Sequence, residues 1–206
     1  MKIDKAFSAL AGYGAGWVFW VLVALSVIAV AVAVDRVVNL VATRDDVSRL
    51  KDDVLDALAS GHVAKAMARL RASPSYEAKV ALAGLSSKGA EAAEERMTSA
   101  SQTSKLKMEK NLTVLATIGA NAPFVGLLGT VIGIIRAFRA LDAAQGRVSA
   151  HLLSEIGEAL IATAVGLLVA LPTIAFYNAF QRAVASRLVR ADALGREVLA
   201  HLKSEG

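Results

Sequence analysis

"EALIATAVGLLVALPTIAFYNAFQ" (158–181) opens on an acid and then runs 23 residues without a charge before Arg182. A helix needs about 20 apolar residues to cross a hydrocarbon core roughly 30 Å thick, so this run is long enough to span. Two others match it: Ala6–Val34 holds 29 uncharged residues and Asn111–Ile135 holds 25. Of the 206 residues 55% are hydrophobic and the mean hydropathy is +0.51, against roughly 45–50% apolar residues in an ordinary soluble domain. The expected fold is an all-α membrane protein with three transmembrane helices, the second and third extended into the cytoplasm, and a cytoplasmic helical bundle.

Charge excludes several functions and orients the spans. A net charge of +5 and a pI near 9.6 invite a nucleic-acid reading. The segment 35–110, however, interleaves 13 Lys/Arg with 11 Asp/Glu and has almost no aromatic residues, so no basic stripe forms and no nucleic acid is expected. Twelve Lys/Arg flank the spans on one side, around 36–51, 96–110 and 182–196. Five flank the other: Lys2, Lys5, Arg136, Arg139 and Arg147. The positive-inside rule then places 42–110 and the C-terminus in the cytoplasm, with the N-terminus outside. The expected layout is an extracytoplasmic N-terminus (1–16), spans at 17–41, 111–138 and 153–181, a cytoplasmic segment (42–110), an outer loop (139–152) and a cytoplasmic helix (182–206). Ala31-Val32-Ala33 after an apolar run mimics a signal-peptide cleavage site. Signal cores are roughly 7–15 residues, however, and Trp17–Val34 alone has 18, so a retained span is expected.

The absence of cysteine excludes a disulfide framework, a cysteine zinc site and a thiol nucleophile. His62, His151 and His201 lie far apart without metal-ligand spacing, and no cofactor is expected. No Gly-rich phosphate loop, Ser/His/Asp set or paired-carboxylate cleft appears, so the chain does not read as an enzyme. Glu155 and Glu158 are one turn apart at a membrane boundary, which suits ion handling better than glycosidase chemistry.

Between the first two spans the pattern is helical. Val47, Leu50, Val54, Leu55 and Leu58 recur at helical spacing and Gly61 ends that run. A second short helix over 64–70 is closed by Ser73-Pro74. Residues 76–110 make one or two further helices with a break near 84–89, the last continuing into the second span without a stop. The amphipathic tail 182–203 prolongs the third span.

Small residues organise the second and third spans. Gly119, Pro123, Gly126, Thr130, Gly133 and Ala137 are spaced 4, 3, 4, 3 and 4 apart. Ala159, Thr163, Gly166, Ala170 and Thr173 are spaced 4, 3, 4 and 3. Each set makes one narrow face, and Gly129 adds to the packing residues of the second span. Helices in lipid associate through van der Waals fit, so small faces bring backbones close. Thr130 and Thr163 either bond back to their own helices or line a thin polar track with Glu158. Pro123 and Pro172 each free a backbone carbonyl and kink their helix, as packing features or as flexible points. Glu158 either ends the third span at the interface or takes part in ion transfer, the default expectation for an acid within a membrane.

"NAPFVGLLGTVIGIIRAF" (121–138) and "EALIATAVGLLVALPTIAFYN" (158–178) resemble the second- and third-span motifs of the ExbB/TolQ/MotA proton-channel family, in the same order and spacing. The first span and 42–110 match in layout only, and the chain is more similar to the ExbB/TolQ branch than to the four-span MotA. The resemblance implies an inner-membrane stator of an ion-driven motor: a homopentamer around two copies of an ExbD/TolR-like single-span partner whose intramembrane aspartate carries the proton. It implies that Thr130, Thr163 and Glu158 face the pore and partner, and that Pro172 is the family's third-span proline. The proton motive force becomes rotation, and so work on a TonB/TolA-like or gliding-machinery effector. No aspartate lies inside the three uncharged runs, which fits a need for the partner. The 16-residue segment before the first span is shorter than in some ExbB proteins and leaves iron uptake, Tol-Pal or gliding open as the driven system. The rival class is a structural membrane scaffold whose helix faces only pack. A secondary transporter is disfavoured by three spans without an inverted repeat.

Overall fold

The computed structural model describes residues 16–143, 145, 147–148 and 150–205. Residues 1–15 of the expected N-terminal segment 1–16, positions 144, 146 and 149 of the expected outer loop, and Gly206 lie outside the described residues. Those described form helices and no strand: α1 (Gly16–Ala42), α2 (Val47–Ala59), α3 (Val63–Ala72), α4 (Tyr76–Leu85), α5 (Ala90–Glu109), α6 (Leu112–Ala143) and α7 (Ala150–Glu205). Three stretches, within α1, α6 and α7, are long and apolar enough to cross a membrane. The chain divides into two compact units.

The first unit comprises 16–33 of α1, α6 and the first half of α7, up to Asn178. Gly119 lies against Ile174, Gly126 against Gly166 and Gly133 against Ala159. Partner numbers fall along α7 as they rise along α6, so the two helices form an antiparallel hairpin. The buried α1 residues Val18, Leu22, Ala29 and Ala33 lie on one helical face. Phe124, Phe138, Leu168 and Leu171 remain exposed in the single chain, as lipid- or subunit-facing residues of spans should be.

The second unit comprises Val34–Lys110 with the remainder of α7. Its core joins Leu50, Val54 and Leu58 of α2, Leu70 of α3, Val80 and Leu85 of α4, Met97 of α5 and Leu194 and Val198 of α7. Local chemistry sets the helix ends. Asp46 caps α2 by accepting from the amides of Ser48 and Arg49 at 3.1 and 3.2 Å, and Ser75 caps α4 through the amide of Ala78 at 3.1 Å. Gly61 and Gly89 break the chain with φ of +73° and +87°, in the left-handed region where a side chain is strained.

One expectation is corrected. The helix over 90–109 does not run on into the second span: α5 stops at Glu109, Asn111 takes φ +62° and α6 begins at Leu112. Asparagine tolerates that conformation better than most residues. Arg36 of α1, itself buried, donates to the carbonyls of Lys107 and Met108 at 3.2 and 3.5 Å. It thereby satisfies acceptors that a continuing helix would have used. Arg187 does the same for α1, donating to the carbonyls of Leu40 and Thr43 at 2.6 and 3.3 Å. Its burial pulls the guanidinium below its ordinary pKa, while Glu77 acts in the opposite direction.

Candidate ion-path site

The α6–α7 seam is built from missing side chains. A Cβ added at Gly126 would lie 2.8 Å from the Ala162 carbonyl oxygen and 3.0 Å from the Thr163 Cα. One added at Gly166 would lie 2.7 Å from the Ala122 carbonyl oxygen. At Gly133 it would approach the Glu155 carbonyl oxygen to 3.2 Å and run into the Ala159 side chain. These neighbours are mostly backbone and cannot swing away. Only glycine allows helices this close.

The seam keeps most of the face that spacing suggests, but Ala122, Gly129 and Ala162 take the places of Pro123, Thr130 and Thr163. Ala122, Gly126, Gly129, Gly133 and Ala137 are buried on α6, while Pro123 and Thr130 sit half-exposed at its edge. On α7, Ala159, Ala162, Gly166 and Ala170 are buried and Thr163 is at the edge. The smallest atoms take the line of closest approach, and the branched threonines are displaced to the flank. There the two hydroxyls come together. Thr163 donates to the Gly126 carbonyl across the seam at 3.0 Å, and its oxygen lies 3.5 Å from that of Thr130. Thr130 donates back to Leu127 of its own helix at 2.7 Å. Thr130 thus bonds within its own helix, and Thr163 bonds across the seam.

Glu158 stands apart from this pair. It precedes Thr163 by five residues, about 140° round a helix of 3.6 residues per turn, and so lies on the other side of the seam. It is exposed, and its Oε1 is 3.5 Å from where a Cβ on Gly16 of α1 would stand. Val18 of α1 borders Gly129 on the same side. One flank of the hairpin therefore carries α1 and Glu158, and the other presents Thr130 and Thr163. Pro123 and Pro172 each lie inside an uninterrupted helix.

An ion pair also stands here that residue spacing did not single out. Arg136 of α6 reaches Glu155 of α7 at 2.8 Å, with the Glu155 side chain 7% exposed and that of Arg136 30%. The signal was available: an arginine closing one apolar run and an acid opening the next become neighbours once the runs form a hairpin. Among the described residues no cluster of His, Asp or Glu could hold a metal ion.

Three apolar spans, two of them paired through glycine faces with hydroxyls at the edge, define a multi-pass helical membrane protein with polar groups inside its spans. The chain belongs to the MotA/TolQ/ExbB proton channel family, whose model matches residues 72–193, more than half of its length. It is 47% identical over 78 residues to the biopolymer transport protein ExbB-like 2 of Helicobacter pylori, covering 38% of this chain and 52% of that protein. It is 49% identical over 74 residues to the Tol-Pal system protein TolQ of Pseudomonas aeruginosa, covering 36% and 32%. Over 92 residues it is 40% identical to the biopolymer transport protein ExbB of Xanthomonas campestris, covering 45% and 36%. The matched stretches span about a third to a half of these relatives' length. Members of this family are channels of the bacterial inner membrane and not enzymes.

Proposed function

We propose that the chain is the ring-forming stator subunit of an ion-driven motor of the ExbB/TolQ kind. Five copies would surround a dimer of an ExbD/TolR-like single-span partner and couple proton flow to work across the envelope, on a TonB/TolA-like or gliding-machinery effector. The Thr130–Thr163 hydroxyl pair at 3.5 Å carries the reading. Hydroxyls on a lipid-facing surface gain nothing, whereas on a flank offered to a partner they can line a proton path. Glu158, on the other flank beside α1 at the loop end of the hairpin, would join that path from a neighbouring copy in the ring. The N-terminus and the 139–152 loop are periplasmic in this arrangement, and 42–110 and the C-terminus are cytoplasmic, as the twelve-to-five distribution of Lys/Arg supports. Gly119, Gly126, Gly129, Gly133 and Gly166 serve packing, and Pro123 and Pro172 give each helix a bending point. One proton crossing about 100 mV supplies about 2.3 kcal/mol, enough to bias a weakly pinned rotation step.

The test is the double substitution Glu158→Gln with Thr163→Val, which removes a titratable proton and a hydroxyl at nearly constant volume. Partner-dependent work in cells should fall by about tenfold or more, about 1.4 kcal/mol, while the intact complex forms in normal amounts. A doubly substituted protein that assembles and works normally refutes the ion-path reading and leaves a scaffold whose helix faces only pack.

A further inference from the structure

A charged pair inside a span is costly, and an arginine facing two acids one turn apart raises a question of allocation. Arg136 bonds Glu155 at 2.8 Å. Glu158 follows Glu155 by three residues, a separation that puts side-chain origins about 5–6 Å apart on a helix. The Arg136 guanidinium is therefore within a side-chain swing of either carboxylate. The pair is made with Glu155, which lies on the buried seam, and Glu158 is left exposed beside Gly16. The backbone at Glu155 is itself held close, since its carbonyl oxygen lies 3.2 Å from where a Cβ of Gly133 would stand.

We propose that Glu155 is a positioning residue that sequesters Arg136, and so keeps Glu158 available for proton exchange. The inference rests on Glu158 being an ion-path acid. An opposite charge within about 4–6 Å favours the ionised form of a carboxylate. A guanidinium released onto Glu158 would hold it as a permanent ion pair and withdraw it from the proton cycle. Arg136 then has a structural use, tying the loop end of α6 to α7, and a functional hazard that Glu155 contains. The design is asymmetric: loss of Glu155 frees the arginine, whereas loss of Arg136 frees nothing that competes for Glu158.

This asymmetry separates the proposal from plain packing. Breaking a buried ion pair costs most when the charge left behind is the more buried one, and removing both partners is often nearly neutral. Glu155 is far more buried than Arg136, so a burial penalty alone predicts that Arg136→Gln harms more than Glu155→Gln. Sequestration predicts the reverse order.

The experiment expresses the full chain with its single-span partner and measures energised work per intact complex, so that assembly losses are divided out. Glu155→Gln should lose about tenfold in work per complex, equivalent to about 1.4 kcal/mol. Arg136→Gln should lose little. Arg136→Gln combined with Glu155→Gln should return to within about twofold of the unaltered protein, a coupling that a mutant cycle reads directly. Glu155→Asp, which keeps the charge, should retain function and decides the matter if the double variant does not assemble. Full work by Glu155→Gln, or greater damage from Arg136→Gln, overturns the proposal. If Glu158→Gln itself works normally, the ion-path reading fails. If Glu158→Gln is impaired while Glu155→Gln is normal, only the sequestration fails.

Discussion

Gly166 and Gly195 lie on the same helix, α7, and answer to different physics. Gly166 faces backbone: a Cβ there would stand 2.7 Å from the Ala122 carbonyl oxygen and 3.1 Å from the Gly126 Cα. Gly195 faces the end of a flexible side chain, with the Met97 Sδ 3.1 Å from its would-be Cβ. The hairpin thus coheres through backbone approach, because lipid tails give no hydrophobic reward for helix contact and close fit must supply it. The bundle coheres as soluble proteins do, by burying Leu50, Val54, Leu58, Leu70 and Leu194 away from water. Glycine is a structural requirement in the first region and a packing convenience in the second.

Substituting Gly166 by leucine should give the largest effect. Overpacking a tight interface costs roughly 1–3 kcal/mol and occasionally more, and with carbonyls as the obstacle the high end is expected. Native mass measurement should find the proposed oligomer reduced or absent. Gly166→Ala should fall between this and the unaltered chain. An intact oligomer with full activity in Gly166→Leu would mean that the hairpin seam yields as readily as a side-chain core, and the contrast with the bundle would collapse.

The same change in the bundle has the opposite expected sign. Gly195→Ala replaces a helix-interior glycine, which alone favours the helix by about 0.8–1 kcal/mol. The methionine opposite has three rotatable bonds with which to give way by a few tenths of an ångström. Thermal unfolding of the bundle in detergent should therefore shift upward or stay level. A clear downward shift would show that Met97, already wedged against Gly84, has no room left, and that the bundle is as rigid there as the hairpin.

These contrasts bear on what a reader of the sequence could know. The spans were legible because an apolar run of 23 residues before Arg182 has few other uses. The paired small faces were legible from their 4-3 spacing. Their register was not, because neighbouring stripes on a helix share residues, and only backbone distance decides that Ala162, rather than Thr163, takes the centre. The stop at Lys110–Asn111 was hidden for another reason. It involves Arg36, 71 residues away from the Lys107 carbonyl that it bonds, and no local signal announces such a partner. The Arg136–Glu155 pair is likewise a product of hairpin register.

The smallest effect expected is in the α1–α2 turn of the bundle, where charge rather than packing sets the balance. The Ser73 hydroxyl beside Asp45 holds its carboxyl below the ordinary aspartate range, with the Asp46 amide and Arg69 adding to this and burial opposing it. The Ser73 and Ser75 oxygens are 2.9 Å apart and Ser75 accepts from the Ala78 amide. The relay that satisfies every group runs from Ser75 to Ser73 to Asp45. A carboxyl whose folded pKa is depressed adds stability above its unfolded value, about 3.9, and loses it as pH falls through the folded value. Ser73→Ala should therefore cost about 1 kcal/mol at pH 7, read from urea unfolding of the detergent-solubilised protein. The difference should shrink towards zero as the pH is taken below the depressed folded value, where Asp45 is protonated in both states. An equal cost at both pH values would assign the role of Ser73 to Ser75 and the α4 cap. The turn would then be held by neutral hydrogen bonds, and charge would have no share in the difference between the two regions.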